Sequence, residues 1–335
     1  MERTELAGGV VAFLVTVLLV VGLAAVGASL TGGGAAPAVD VDRTANLSVP
    51  EYETGDLVAD PLAVEGSIDP DVPAADRGGT VLVDATHGND YPRETIAPLV
   101  RALTATNHTV RFHEQGDNLT RQLRAAKAYV VISPSDPHDA DEVRDVAQFT
   151  DRGGRLLLVG EPDRIEPVGT RAGGQTVTIT VALASLGSEH GVSFDTRYLY
   201  NLETNDGNYK HAIARPPEGS PLASVERTTH YTATTVTVRD GTPLLVTTEE
   251  TRQSGSGEAG TYTVAAQRGN ALALGDRTFL RSDRYAVADN EAVLAYVVEF
   301  LAEGESVPGA TPIGADADSG GGPDGSAGGG DVDGP

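Results

Sequence analysis

The chain of 335 residues contains no cysteine. That absence removes disulfides, thiolate nucleophiles and cysteine-ligated zinc together, and it leaves the redox compartment undetermined. Lysine is nearly missing as well. Lys127 and Lys210 are the two present, and every other basic residue is an arginine. With 24 basic against 48 acidic residues the formal net charge is -24. The sequence offers no basic patch to release counterions, so no nucleic-acid partner is expected. There is no P-loop, no G-x-S-x-G elbow, no twin-arginine motif and no internal repeat.

An acidic, lysine-poor surface resembles that of proteins from extreme halophiles such as haloarchaea. At molar salt the Debye length falls to about 3 Å, so self-repulsion is screened while carboxylates keep the surface hydrated.

From Ala7 to Leu30 no charged residue occurs (AGGVVAFLVTVLLVVGLAAVGASL). As a helix this run spans about 36 Å, enough for a hydrocarbon core of roughly 30 Å. A cleaved signal peptide is the rival reading, with Val26-Gly-Ala28 as its cleavage site. The run exceeds the roughly 7–15 apolar residues of such a signal, which favours a retained single-pass anchor behind a short tail, residues 1–6. Arg3 and the terminal amine on one side, against Asp40, Asp42 and Arg43 on the other, give a weak positive-inside signal for an extracytoplasmic bulk domain at the cell membrane. The sequons at Asn46, Asn107 and Asn118 agree with that side and are candidate glycosylation sites. Residues 31–78, rich in Gly, Pro and Asp, read as a linker with a short strand near Asp56–Val64. Residues 305–335 read as a disordered acidic, Gly-rich tail.

Between them, residues 79–304 alternate. Strands are expected at Thr80–Ala85, His108–His113, Ala128–Ser133 and Arg155–Gly160. Helical spacing covers Arg93–Thr106, Leu119–Ala126 and Asp139–Asp151, the last closed by Gly153-Gly154. Short βαβ units of this kind imply a parallel sheet covered on both faces. Further on, Gln175–Leu186 reads as a helix. Asp240-Gly241 reads as a hairpin turn between Thr232–Arg239 and Pro243–Glu249. A second hairpin turns at Arg268-Gly-Asn270, and Asp289 or Asn290 caps a final helix, Glu291–Leu301. The fold class is therefore α/β, with antiparallel strands added in the second half.

In open parallel sheets ligands sit at the carboxyl ends of the strands. Asp84, His87, Asn89, Glu161 and Asp276 fall at such ends and are the candidate ligand-binding residues. His87 with Asp84 and Asp276 would suit a metal-assisted hydrolase, since imidazole and carboxylate accept zinc or manganese. The competing reading makes His87-Gly88-Asn89 a turn, with Gly88 at positive φ. No sequence feature names the metal, and no cofactor is expected. His108 and His113, five apart on one strand, face opposite sides and cannot share a metal. Asp136, His138, Asp139, Asp141 and Glu142 read as an acidic helix entry in which capping accounts for the charges. Gly255-Ser-Gly-Glu-Ala-Gly260 matches G-x-G-x-x-G but precedes a strand, so it is a loop rather than a dinucleotide fingerprint. Ser133 and Ser135 have no base placed beside them by any motif.

The runs VLVDATHGNDYPRETIAPLVRAL and AYVVISPSDPHDADEVRDVAQFTDRGGRLLLVGEP resemble the domain-of-unknown-function family 4350, membrane-anchored proteins with a class I glutamine-amidotransferase-like, flavodoxin-like fold. Gly275-Asp276, Phe279-Leu280 and Asp289-Asn290 are similar to the closing motif of auxiliary subunits of gliding-type ABC transporters. The resemblance covers residues 79–303, weakly across 165–230. It implies helices on both faces of the parallel sheet and a protein partner in a membrane transport or envelope complex. Amidotransferases of this fold carry a cysteine on the turn that here reads Ile132-Ser-Pro-Ser-Asp136, so thiol-based glutamine hydrolysis is excluded. The expectation is a non-catalytic binding or assembly module; the alternative is the His/Asp hydrolase.

Overall fold

The computed structural model describes residues 66–89, 91–170 and 173–310. The apolar run 7–30, the Asp56–Val64 segment, Asn46 and the tail beyond residue 310 lie outside the described residues. Among those described, no helix is long and apolar enough to cross a membrane.

Four strands form the parallel core. They are β1 (Gly79–Asp84), β2 (His108–His113), β3 (Ala126–Ile132) and β4 (Arg155–Val159). Each is short, β-branched or leucine-rich, and nearly all of β1, β3 and β4 is buried, as expected of strands covered on both sides. With β14 (Ala271–Leu274) they run parallel in the order β2-β1-β3-β4-β14. The sheet continues antiparallel through β13 (Thr263–Arg268), β11 (Thr242–Thr247), β8 (His211–Arg215) and β9 (Thr228–Tyr231), giving nine strands.

Period-two alternation sends side chains to two separate cores. Val81, Val83, Val130, Ile132, Leu157 and Val159 meet helix α1 (Ala97–Ala105) and helix α5 (Asn290–Ala302) on one face. Leu82, Tyr129, Val131, Leu156 and Leu158 meet α2 (Leu119–Ala125), α3 (Ala140–Asp151) and α4 (Ala184–Glu189) on the other. Helix α3 begins in a full capping box. Asp139 accepts from the Asp141 and Glu142 amides, and Glu142 accepts from the Asp139 amide.

Residues 66–78, read as linker, lie against this body. Val72 is buried in the first core, and Lys127 ties the segment to α5 by donating to the carbonyls of Asp76 and Ala302.

Three expectations are corrected. Gln175–Leu186 is not a helix: its first half belongs to β6 (Gly173–Ile179), paired with β5 (Arg164–Thr170), and helix appears only at α4. The threonines and valine of TVTI favour the pleated backbone. Asp240-Gly241 does not close a hairpin. The strand before it, β10 (Thr234–Val238), joins β7 (Val192–Tyr200) and β12 (Arg252–Gln253) in a separate sheet, whereas β11 pairs with β13 and β8. Asp240 has φ 54°, but Gly241 is not at positive φ, so the turn needed to fold β11 back on β10 is missing. Finally, neither Asp289 nor Asn290 caps α5 by side chain. The Asp289 carboxylate instead accepts from the amides of Glu226 and Arg227, and Asn290 bonds both backbone groups of Thr229, fastening α5 to β9.

Gly275 follows β14 where the two sheets touch. A Cβ there would sit 2.2 Å from the Thr234 carbonyl oxygen, a backbone atom that cannot swing aside. Gly275→Ala is expected to destabilise the chain by about 1–3 kcal/mol, the usual cost of overpacking. The check is a lower urea midpoint at unchanged slope.

Candidate functional site: two buried charge clusters at the strand ends

The parallel strands all end at one edge, and there the sequence turns polar. Asp84 ends β1, Ser133 follows β3, Glu161 follows β4 and Asp276 follows β14. These residues do not make one site. Strands β3 and β4 separate β1 from β14, so the outer two ends are three inter-strand steps apart, about 14 Å.

The first cluster is built on Asp84 and His87. His87 Nδ1 lies 2.9 Å from Asp84 Oδ1, and its Nε2 lies 3.1 Å from Glu142 Oε2, the carboxylate that also closes the capping box of α3. Thr86 adds a hydroxyl to Asp84 at 3.0 Å. Asn89 accepts from the His87 amide at 3.2 Å and donates to the Ile132 carbonyl at 3.0 Å, pinning the loop to β3. Gly88 stands at φ 62°, and a Cβ on it would strike the Ser135 hydroxyl at 2.2 Å. The His138 ring stacks on His87 with centroids 3.7 Å apart and planes 14° from parallel.

Burial opposes the charge on His87, but the carboxylates of Asp84 and Glu142 outweigh it and raise its pKa to about 9. Burial likewise pushes Asp84 up, and the hydrogen bond and charge of His87 more than offset that, leaving its pKa lowered. For His138, burial and the neighbouring His87 cation act together and push the pKa down to about 4. At neutral pH the cluster is therefore an imidazolium held between two carboxylates and covered by a neutral imidazole.

Asp84, His87 and His138 bring their donor atoms within 4.8 Å of one another, close enough to suggest a metal site. The ring geometry opposes it. An imidazole binds a metal with a lone pair lying in its own ring plane. Two nearly parallel planes stacked 3.7 Å apart share no such point, so one ring would have to turn before both could ligate.

The second cluster is Glu161 with Asp276. Asp276 is buried and accepts from the amides of Tyr231 (3.0 Å) and Thr278 (2.7 Å), with His230 Nδ1 at 3.5 Å. Glu161 accepts from the Arg277 amide at 2.7 Å. Burial, then the charge of Asp276, raise the Glu161 pKa to about 8.

The structure brings Asp84, His87 and Asn89 together and Glu161 with Asp276, but it does not bring Asp276 to His87. His138, Glu142 and His230 join these clusters without having been singled out for them. The signal for Glu142 was the capping box itself, whose carboxylate faces back toward the strand ends; nothing in the sequence marks His230. Ser133 holds a strained φ of 43° with its buried hydroxyl unpartnered, while Ser135 donates to the Gly88 carbonyl, so neither serine bonds an imidazole. Among the sequons, Asn107 is exposed, and the Asn118 side chain caps α2 by accepting from the Arg121 amide.

No protein-family model matches the chain, and no curated protein is significantly similar to it. Solved structures do align with it. The structure titled "mmIFT52 N-terminal domain" aligns over 66% of this chain and 100% of its own, at 15% identity and a TM-score of 0.51. The "Cytoplasmic Protein STM1381 from Salmonella typhimurium LT2" aligns over 65% of this chain and 99% of its own, at 10% identity and a TM-score of 0.41. The "Exo-beta-1,4-mannosidase Op5Man5 from Opitutaceae bacterium strain TAV5" aligns over 67% of this chain and 36% of its own, at 10% identity and a TM-score of 0.37. At these identities the first likeness bears on the fold alone. The class defined is a mixed α/β protein with a nine-stranded central sheet, parallel at its core.

The raised pKa of His87 has a consequence for stability. The folded value of about 9 stands above the ordinary 6.5, so the stabilisation is fully present below pH 6.5 and is lost as pH rises through 9. His87→Gln leaves two carboxylates without their cation and should cost about 3–5 kcal/mol at pH 6, the usual loss when one partner of a buried pair is removed. That deficit should shrink by pH 10, where wild-type His87 is itself neutral. Denaturant titrations of both proteins across this range would show a constant deficit if the pairing were absent.

Proposed function

We propose that this chain is a non-catalytic binding or assembly module with a flavodoxin-like, class I amidotransferase-like fold, anchored to the cell membrane by residues 7–30 with its bulk outside the cytoplasm. The observation that carries the non-catalytic part is the saturation of His87. Both ring nitrogens are occupied by carboxylates, so the imidazole has no lone pair to take a proton and no donor aimed at a cavity. Asp276 is spent in the same way on backbone amides. The missing thiol at Ile132-Ser-Pro-Ser-Asp136 agrees with this. The resemblance to family 4350 and to transporter auxiliary subunits supports a membrane transport or envelope complex as the setting.

One observation favours a second reading, a metal-assisted hydrolase: the convergence of Asp84, His87 and His138. It requires His87 to shed its proton and one ring to rotate. The two readings separate on a zinc and manganese titration of the purified full chain by calorimetry. The binding-module reading expects no stoichiometric uptake at micromolar metal. Uptake lost in His138→Ala, together with hydrolysis of a simple ester or phosphoester, would overturn it.

The anchor is tested separately by washing membranes in alkaline carbonate. The full chain should stay with the membranes, and a chain lacking residues 7–30 should be released. Release of both would remove the anchor from the proposal.

A further inference from the structure

Beside the two clusters lies a cavity of about 440 Å³, within the roughly 300–1,000 Å³ range of small-ligand sites. One wall is the segment after β1, with Tyr91, Glu94 and Thr95. The other is the segment after β14, with Arg277, Thr278, Arg281 and Asp283. None of the five residues that the sequence nominates lines this cavity. Three of them hold its walls. Asn89 fixes the first loop to β3, and its carbonyl accepts from the Tyr91 amide at 3.0 Å. Glu161 and Asp276 take the amides of Arg277 and Thr278, which seats the second wall on buried carboxylates. The cavity is therefore preorganised by side chains that do not enter it, as a binding site requires.

The lining specifies a ligand chemistry. Its charged side chains are two guanidinium groups, Arg277 and Arg281, and two carboxylates, Glu94 and Asp283, so the formal charges cancel in a chain whose net charge is -24. An anion would meet the two carboxylates and a cation the two arginines. Arg281 and Asp283 form a two-point pair (2.9 and 3.1 Å), a planar unit with donors and acceptors side by side. Thr95 adds a hydroxyl that serves either way, whereas the Thr278 hydroxyl donates to Asp276 and is left to accept. The Tyr91 ring, half-buried against the first core with the Arg277 guanidinium carbon 5.9 Å from its centre, supplies apolar surface. Vicinal hydroxyl groups on a ring with an apolar face are complementary to this combination. We propose that the cavity between the β1 and β14 loops binds a neutral polyhydroxylated ligand of mono- or disaccharide size, with Tyr91 as its stacking face and Arg281–Asp283 as its hydroxyl clamp.

This assignment rests on the binding-module reading, and the experiment separates the two. The full chain would be titrated with glucose, mannose, maltose and trehalose, and in parallel with inorganic phosphate, using saturation-transfer NMR and calorimetry. The expected result is saturable binding of at least one sugar, weakened at least ten-fold in Tyr91→Ala and in Arg281→Ala and retained in Tyr91→Phe. Arg281 is exposed, so its loss should leave the fold intact, which circular dichroism would verify. Binding of phosphate without any sugar, or of no probe by folded protein, would overturn the ligand assignment while leaving an assembly module standing. Sugar binding insensitive to both alanine variants would overturn the cavity as its site. A bound sugar that is also cleaved would keep the cavity and overturn the non-catalytic reading.

Discussion

Buried charge at the carboxyl ends of the parallel strands is the constraint around which this molecule is arranged. A carboxylate taken out of water must find a cation, several amide donors or a proton. Each strand-end group here uses a different one of these. Asp84 has the His87 cation, Asp276 has the amides of Tyr231 and Thr278, and Glu161, whose pKa burial and then the charge of Asp276 raise to about 8, keeps its proton at neutral pH. These solutions all bind loop backbone or loop side chains, so satisfying the charges also sets the conformation of the segments above the sheet.

That coupling connects two elements distant in sequence. Glu142 serves the α3 capping box and His87 at once, so the start of a helix and the loop after β1 share one carboxylate. His138, next to the cap residue, covers the pair by stacking. On the other side the Asp289 and Asn290 side chains leave their own helix to hold the backbone beside β9. The polar residues at these helix starts thus act between elements rather than within them.

The parallel half of the fold was legible because β1, β3 and β4 carry continuous apolar runs bounded by Gly, Asp and helical spacing, and those signals are local. The Arg268-Gly-Asn270 hairpin was legible for the same reason, since β13 and β14 pair directly across it. Asp240-Gly241 carried an equally good local signal and misled. Whether two neighbouring strands pair with each other or with strands far away depends on the packing of two sheets, and a turn dipeptide holds no information about that. The candidate residues were legible as a set at one edge. Their division into two clusters was not, because strand order is a property of the assembled sheet.

Composition and hydrophobic period are written in consecutive residues, so the lack of thiol chemistry, the excess of acidic residues, the α/β class and the edge at which polar side chains gather follow from the chain alone. That His87 spends both nitrogens on Asp84 and Glu142, that Asp276 belongs with Glu161, and that a cavity opens between loops nearly two hundred residues apart are set by the assembled fold. Those outcomes depend on distances between side chains from separate strands, and such distances exist only once β1, β3, β4 and β14 lie side by side.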